Sequence, residues 1–299
     1  MRIGCELSDY TSTTEIAMAG DLLPSSSSRD SRSAVSNGGA DGFGMRFWRV
    51  FKCHWVDWAA AVVLWLAVEG ATFRTAPFAR IAPSNDPSLS FPLVKSSVPN
   101  GVLVFISIVL PIALMFFAQL VLKRTWGSSW NTALDVHHFV LSVLEAAALC
   151  RAQTSVLKVF NGRLRPNFDA LQNSGDVSEQ RESRLSYPSG HTSFAFTGMV
   201  LVALYFCGKT RIFSAPRERS SSVSFRFAVL CFAGLLPLLS AELVASTRTR
   251  DYWHNFSDIN AGAMIGAASA AAAYHLNYYA ITSTLSHEPK LESLEERSI

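Results

Sequence analysis

Three short clusters hold residue types whose spacing could do phosphate chemistry. The first is Lys158-Val-Phe-Asn-Gly-Arg-Leu-Arg165-Pro166. On a helix, positions seven apart share one face two turns apart, so Lys158 and Arg165 are expected to point at one centre, with Pro166 ending the helix. The second is Tyr187-Pro188-Ser189-Gly190-His191, where a polar loop turns into an apolar run. A Ser-Gly step before a helix leaves unpaired backbone N–H groups at the positive end of the helix dipole, a ready anion site with His191 at its rim. The third joins Thr247-Arg248 to His254 and Asp258. A carboxylate four residues after an imidazole lies one turn away on a helix. It could accept the Nδ1 proton and leave Nε2 free as a nucleophile.

Alone, each cluster has a plain structural explanation. Basic residues flank membrane helices, Ser189 could be an ordinary N-cap, and a His-Asp pair at this spacing is common by chance. Together they place three cations, Lys158, Arg165 and Arg248, where carboxylates are scarce. That arrangement is costly unless an anion fills the centre. A phosphate group meets the requirement, held by the cations and by the backbone N–H groups near Ser189 and Gly190.

The elements that must position these clusters are membrane helices. Of 299 residues 49% are hydrophobic and 16% charged, against about 25% charged in soluble domains. The net charge of +3 and the lack of a long basic block argue against nucleic acid as a partner. The five cysteines show no CxxC spacing, so neither a disulfide framework nor a zinc knuckle is expected. Six apolar segments appear: Trp55 to Phe73, Val98 to Leu122, Val136 to Phe160, His191 to Gly208, Phe225 to Ser246 and Ile259 to Ile281. Each is close to the roughly 20 residues that span a bilayer. The expected fold is all-α, a six-transmembrane helical bundle, with the active site at the outer helix ends.

Residues 1–44, rich in Ser, Gly and Asp, are expected to be a disordered tail without a signal peptide. Residues 45–282 form the membrane domain, and residues 283–299 a polar C-terminal tail. Basic residues at Arg46, Arg49 and Lys52, at Lys123 and Arg124, and from Lys209 to Arg226 predict that both termini are cytoplasmic. The motifs then gather on the lumenal or extracellular side. No retention signal separates the plasma membrane from endomembranes. Glu69, Glu145, Arg151 and Glu242 are expected in interhelical pairs, and His137 and His138 at the inner interface. The small-residue stripe Gly262-Ala-Met-Ile-Gly266 fits a homo-oligomer or, as the favoured reading, close packing inside the bundle.

The three motifs resemble those of the type 2 phosphatidic acid phosphatase superfamily and, within it, the integral-membrane lipid phosphate phosphatases. That family's pattern is Lys, six residues, Arg-Pro; then Pro-Ser-Gly-His; then Ser-Arg, five residues, His, three residues, Asp. Every position matches except Thr247, which stands for the usual Ser and keeps the hydroxyl. Asp86-Pro-Ser-Leu-Ser-Phe-Pro92 is similar to a stretch in the first outer loop of the eukaryotic enzymes, and the likeness runs from about residue 50 to 282.

The resemblance implies catalytic His254, His191 and Asp258. His254 would be a nucleophile forming a phosphohistidine, Asp258 its orienting group, and His191 the acid that protonates the leaving alcohol. Lys158, Arg165, Ser189, Gly190 and Arg248 would bind phosphate. No metal and no cofactor is implied, and the implied partners are a membrane lipid phosphate and the bilayer. The alternatives are a polyisoprenoid diphosphate phosphatase of the same superfamily and a catalytically silent lipid-phosphate-binding protein. Six spans disfavour a soluble haloperoxidase, and chemistry at helix ends disfavours a transporter.

Overall fold

A computed structural model describes residues 42–126, 132–214 and 226–290. Almost all of the expected N-terminal tail, the end of the C-terminal tail, and the loop arginines Arg217 and Arg219 fall outside these ranges. Among the described residues the regular elements are helices, joined by loops and with one isolated bridge between Tyr278 and Pro289. Helix α1, Phe43–Cys53, begins just inside the residues assigned above to the tail. It is followed by α2, Trp55–Arg74, and by α3, residues 100–126, with one π turn at Phe105–Val109. Helix α4 is Thr132–Asn161, and two short helices follow, α5 (Phe168–Gln172) and α6 (Val177–Glu182). Helix α7 is Gly190–Thr210, α8 is Arg226–Arg250 with a π turn at Leu230–Leu235, and α9 is Phe256–Asn277.

Five of these, α2, α3, α4, α7 and α8, are long and apolar enough to cross a membrane. The sixth expected span, α9, is a 22-residue helix, but it is built largely of Ala, Gly and Ser, and freedom from charge is not the same as strong hydropathy. Burial sorts the helices. The apolar window of α4 is 78% buried and that of α7 61%, against 6% to 22% for α2, α3 and α8. The central pair therefore carries the core, and the other three turn most of their apolar surface outward, as lipid-facing helices do.

Helix α9 packs into the centre through its small residues. A Cβ added at Gly262 would lie 2.7 Å from the Ser189 carbonyl oxygen, and one at Gly266 would lie 2.2 Å from that of Ser193. The stripe therefore serves helix approach inside the bundle. Gly266→Leu is expected to force α9 off α7 at a cost of about 1–3 kcal/mol. Thermal unfolding in detergent reads this, and an unchanged midpoint would refute the packing role.

At the end of α4 remote from Lys158, Asp135 is buried with Lys209 at 2.5 Å and accepts from Tyr205 at 2.7 Å and Tyr278 at 3.0 Å. Lys209 also donates to the His287 carbonyl at 2.6 Å. Residues 278–290 are thereby turned back onto the bundle, and Ser214 and Arg211 hold Ser283 and Thr284. Of the expected interhelical groups, Arg151 pairs with Glu69 and Glu145 accepts from Asn277, whereas Glu242 is exposed. His137 and His138 are fully buried and pack against His54 at the α1–α2 junction, His138 edge-on and His137 tilted. They lie roughly 30 Å along α4 from Lys158.

Candidate active site

Helix α4 stops at Asn161, earlier than the motif spacing suggests. Gly162 takes a left-handed φ of 54°, and a Cβ there would sit 1.9 Å from the Phe78 carbonyl oxygen. Such a glycine terminates a helix and turns the chain. Arg165 is therefore not on the helix with Lys158. The two still converge, because the Leu185 carbonyl accepts from Lys158 Nζ at 2.5 Å and from Arg165 at 3.4 Å. Residues 163–165 run beside 183–186, with Arg165 N–H on the Ser183 carbonyl at 2.8 Å and Ser186 N–H on that of Arg163 at 3.0 Å.

The second cluster sits where α7 begins. Ser189 is the N-cap, accepting from Thr192 N–H at 3.4 Å, so the plain capping role is realised. Gly190 faces the first cluster, since a Cβ there would lie 3.7 Å from Lys158 Cε. The Ser189 N–H donates to the Asp258 carbonyl at 3.0 Å, tying the second cluster to the third.

In the third cluster, α8 runs through Arg248 to Arg250, and Tyr252 takes a positive φ of 58°. This turn folds the chain back, so the N–H groups of Trp253 and His254 both donate to the Arg248 carbonyl, at 3.0 and 3.2 Å. The Trp253 carbonyl accepts from Arg165 at 3.3 Å, and its ring lies under the Arg165 guanidinium at 5.0 Å. Thr247 Oγ1 accepts from Arg248 Nε at 3.0 Å and from a terminal nitrogen at 2.7 Å, so the hydroxyl has a use at this position.

His254 is buried, with Nδ1 3.7 Å from Asp258 Oδ2. That is close enough for charge attraction and too long for a hydrogen bond. Burial pushes the imidazole well below 6.5, Arg165 and Lys158 push it further, and Asp258 opposes them. The ring is therefore neutral at neutral pH. Asp258 meanwhile accepts three hydrogen bonds, from Arg163 at 2.7 Å, from Ser186 at 2.6 Å and from Asn255 N–H at 2.9 Å. The last completes a capping box at the start of α9.

Motif spacing alone points to neither Arg163 nor Ser186. Nor does it point to Glu182. Its side chain binds Arg165 at 2.6 Å while its carbonyl accepts Arg165 Nε at 2.6 Å. Burial alone would raise the Glu182 carboxyl, but Arg165 and Lys158 hold it below its ordinary value. All eight residues expected at the site thus meet at one end of α4, α7, α8 and α9. The site offers a neutral imidazole beside a held carboxylate, a second imidazole on α7, and three cations suited to an oxyanion. Among the described residues, no group of three or more His, Cys, Asp or Glu side chains is arranged to hold a metal ion.

Residues 139–282 match the family model described as PAP2 superfamily. A PA-phosphatase related-family protein of Dictyostelium discoideum is 32% identical over 80% of this chain and 85% of its own length. Lipid phosphate phosphatase 1 of Arabidopsis thaliana is 34% identical over 77% of this chain and 70% of its own. A probable diacylglycerol pyrophosphate phosphatase of Schizosaccharomyces pombe is 28% identical over 76% and 81%. No solved structure matches significantly. With the motifs gathered and relatives of this identity aligned over most of its length, the chain belongs to the PAP2 superfamily.

Proposed function

We propose that the protein is an integral-membrane phosphatase that hydrolyses phosphatidic acid and related lipid phosphates without a metal ion. The observation that carries this reading is a buried His254 whose Nδ1 lies 3.7 Å from Asp258, at the end of the bundle where Lys158 and Arg165 converge on the Leu185 carbonyl. In the first step His254 Nε2 attacks phosphorus, the bond to the lipid oxygen breaks, and His191 gives that oxygen a proton. Lys158, Arg165, Arg248, the Ser189 hydroxyl and the backbone N–H of Gly190 take up the charge on the phosphoryl oxygens, the Ser189 N–H being engaged by the Asp258 carbonyl. In the second step water attacks the phosphohistidine, His191 takes its proton, and phosphate leaves with His254 restored.

In this reading α9 crosses the membrane with the other five helices. Both termini are then cytoplasmic and the catalytic end is lumenal or extracellular, where a headgroup meets the site while its chains stay in lipid. Residues 1–44 and the end of the C-terminal tail lie outside the membrane domain.

Purified protein in detergent is expected to release phosphate from phosphatidic acid in the presence of a chelator and to be inhibited by vanadate, which takes the five-coordinate geometry of the transition state. A strict need for added Mg²⁺ would contradict the reading. A panel that adds diacylglycerol pyrophosphate and a polyisoprenoid diphosphate decides between mono- and diphosphate preference. Because the His254 pKa is lowered, its reactive neutral form persists as pH falls through 6.5. The acid limb of kcat/KM is expected below that pH, and a limb above it would argue against His254 as the group observed.

A further inference from the structure

Residues Ser96, Ser97 and Val98 end the first outer loop, just before α3, and belong to none of the three motifs. They nevertheless touch two of them. Asp251, which follows α8, is 3% exposed and is given no part by the mechanism above. It accepts from Ser97 N–H at 2.6 Å and from Ser97 Oγ at 2.8 Å, and lies 3.3 Å from a terminal nitrogen of Arg248. Arg250 closes this latch from the solvent side, donating to Ser97 Oγ at 2.6 Å.

With Ser97 held, the neighbouring residues form a relay. Ser96 Oγ accepts from Arg248 at 2.8 Å and donates to the Val98 carbonyl at 2.8 Å. The same carbonyl lies 3.0 Å from His191 Nε2. A carbonyl oxygen only accepts, so Nε2 must carry the hydrogen, and a neutral His191 then has its lone pair on Nδ1. The direction of each bond in the chain is thus determined, from the guanidinium through the hydroxyl to the carbonyl, and from the imidazole to the same carbonyl.

We propose that Ser96–Val98 is a strap, latched by Asp251, that positions Arg248 and fixes His191 as its Nε2–H tautomer. His191 Nδ1 then takes the proton of the bound phosphate monoester monoanion and passes it to the departing lipid oxygen, and in the second step the same atom takes the proton of the attacking water. Asp251 and Ser96 are positioning residues, acting through Arg248 and His191. The catalytic part of this assignment rests on the phosphatase reading; the tautomer does not.

The test uses the full chain in lipid nanodiscs. With isotope-labelled histidine, and His191→Gln to identify the signal, magnetic resonance at neutral pH is expected to show His191 protonated at Nε2 and bare at Nδ1. Asp251→Asn should release the strap and mix the two tautomers. If that variant does not fold, Ser97→Ala, which removes only the hydroxyl of an exposed residue, takes its place. In phosphate release, Ser96→Ala is expected to lower kcat/KM roughly tenfold, as loss of one hydrogen bond to a charged group would, and Ser96→Thr to restore most of it. A His191 signal protonated at Nδ1 in the wild type would overturn the proposal. So would an unchanged tautomer in the latch variants, or full activity in Ser96→Ala. If the wild type releases no phosphate from any lipid phosphate, the phosphatase reading fails, and the tautomer measurement still decides the strap.

Discussion

His254→Ala is expected to lower phosphate release from phosphatidic acid on the order of a thousandfold or more while leaving the fold in place. The size of the effect follows from the role: without the imidazole no covalent intermediate forms, and the remaining cations can only bind. The fold should survive because the side chain of His254 contributes little that is structural. Its Nδ1 makes no hydrogen bond, and the turn is held by backbone bonds from residues 253 and 254 to the Arg248 carbonyl. Substrate should still bind, because Lys158, Arg165 and Arg248 are untouched. The check is kcat and vanadate affinity measured together. A variant that keeps wild-type kcat would remove His254 from the mechanism, and one that loses vanadate binding together with its thermal transition would show damage to the fold instead.

Asp258→Asn is expected to lower kcat between about a hundredfold and ten-thousandfold with a smaller change in KM, as when the orienting carboxylate of a catalytic histidine is neutralised. Asp258 accepts from Arg163, Ser186 and the Asn255 N–H, and an amide has only one oxygen to offer them. If that oxygen stays on Arg163, an NH₂ group faces the Asn255 N–H and His254. The start of α9 then loses its capping box, at a cost of about 1 kcal/mol, too little to unfold the bundle. His254 also loses the charge that favours a proton on Nδ1. Arg163→Gln, which leaves the carboxylate in place, should show a smaller loss of the same kind. Equal kcat in Asp258→Asn and wild type would mean that the 3.7 Å separation from His254 never closes during turnover.

How much of this was legible in the sequence follows from what kind of signal each part left. The residues that touch phosphate in the proposed reaction come in fixed spacings, and the structure brings them together. Residues that hold those groups in place carry no such signal. Arg163, Ser186 and Asp251 are single polar residues in loops and Glu182 is the last residue of the short helix α6, and their partners are set by how residues 163–165 run beside 183–186 and how Tyr252 reverses the chain. The expected shared helix face for Lys158 and Arg165 failed for a local reason, because Gly162 turns the chain before Arg165 is reached. Helix limits drawn at charges were too short where the charge is paired inside. Helix α4 begins at Thr132, before Asp135, because Lys209, Tyr205 and Tyr278 neutralise and bond that carboxylate. Helix α8 likewise runs through Arg248 because the guanidinium turns inward.

The central claim is that His254 carries the phosphoryl group between the two steps. It is tested most directly by quenching the enzyme during turnover of phosphatidic acid labelled in its phosphate and locating the label on the protein. The account predicts a phosphoenzyme that is stable to alkali and labile to acid, as a phosphohistidine is, with the label on the peptide containing His254 and none on His254→Ala. An active wild-type enzyme that never carries label under these conditions, or carries it on any other residue, would contradict it.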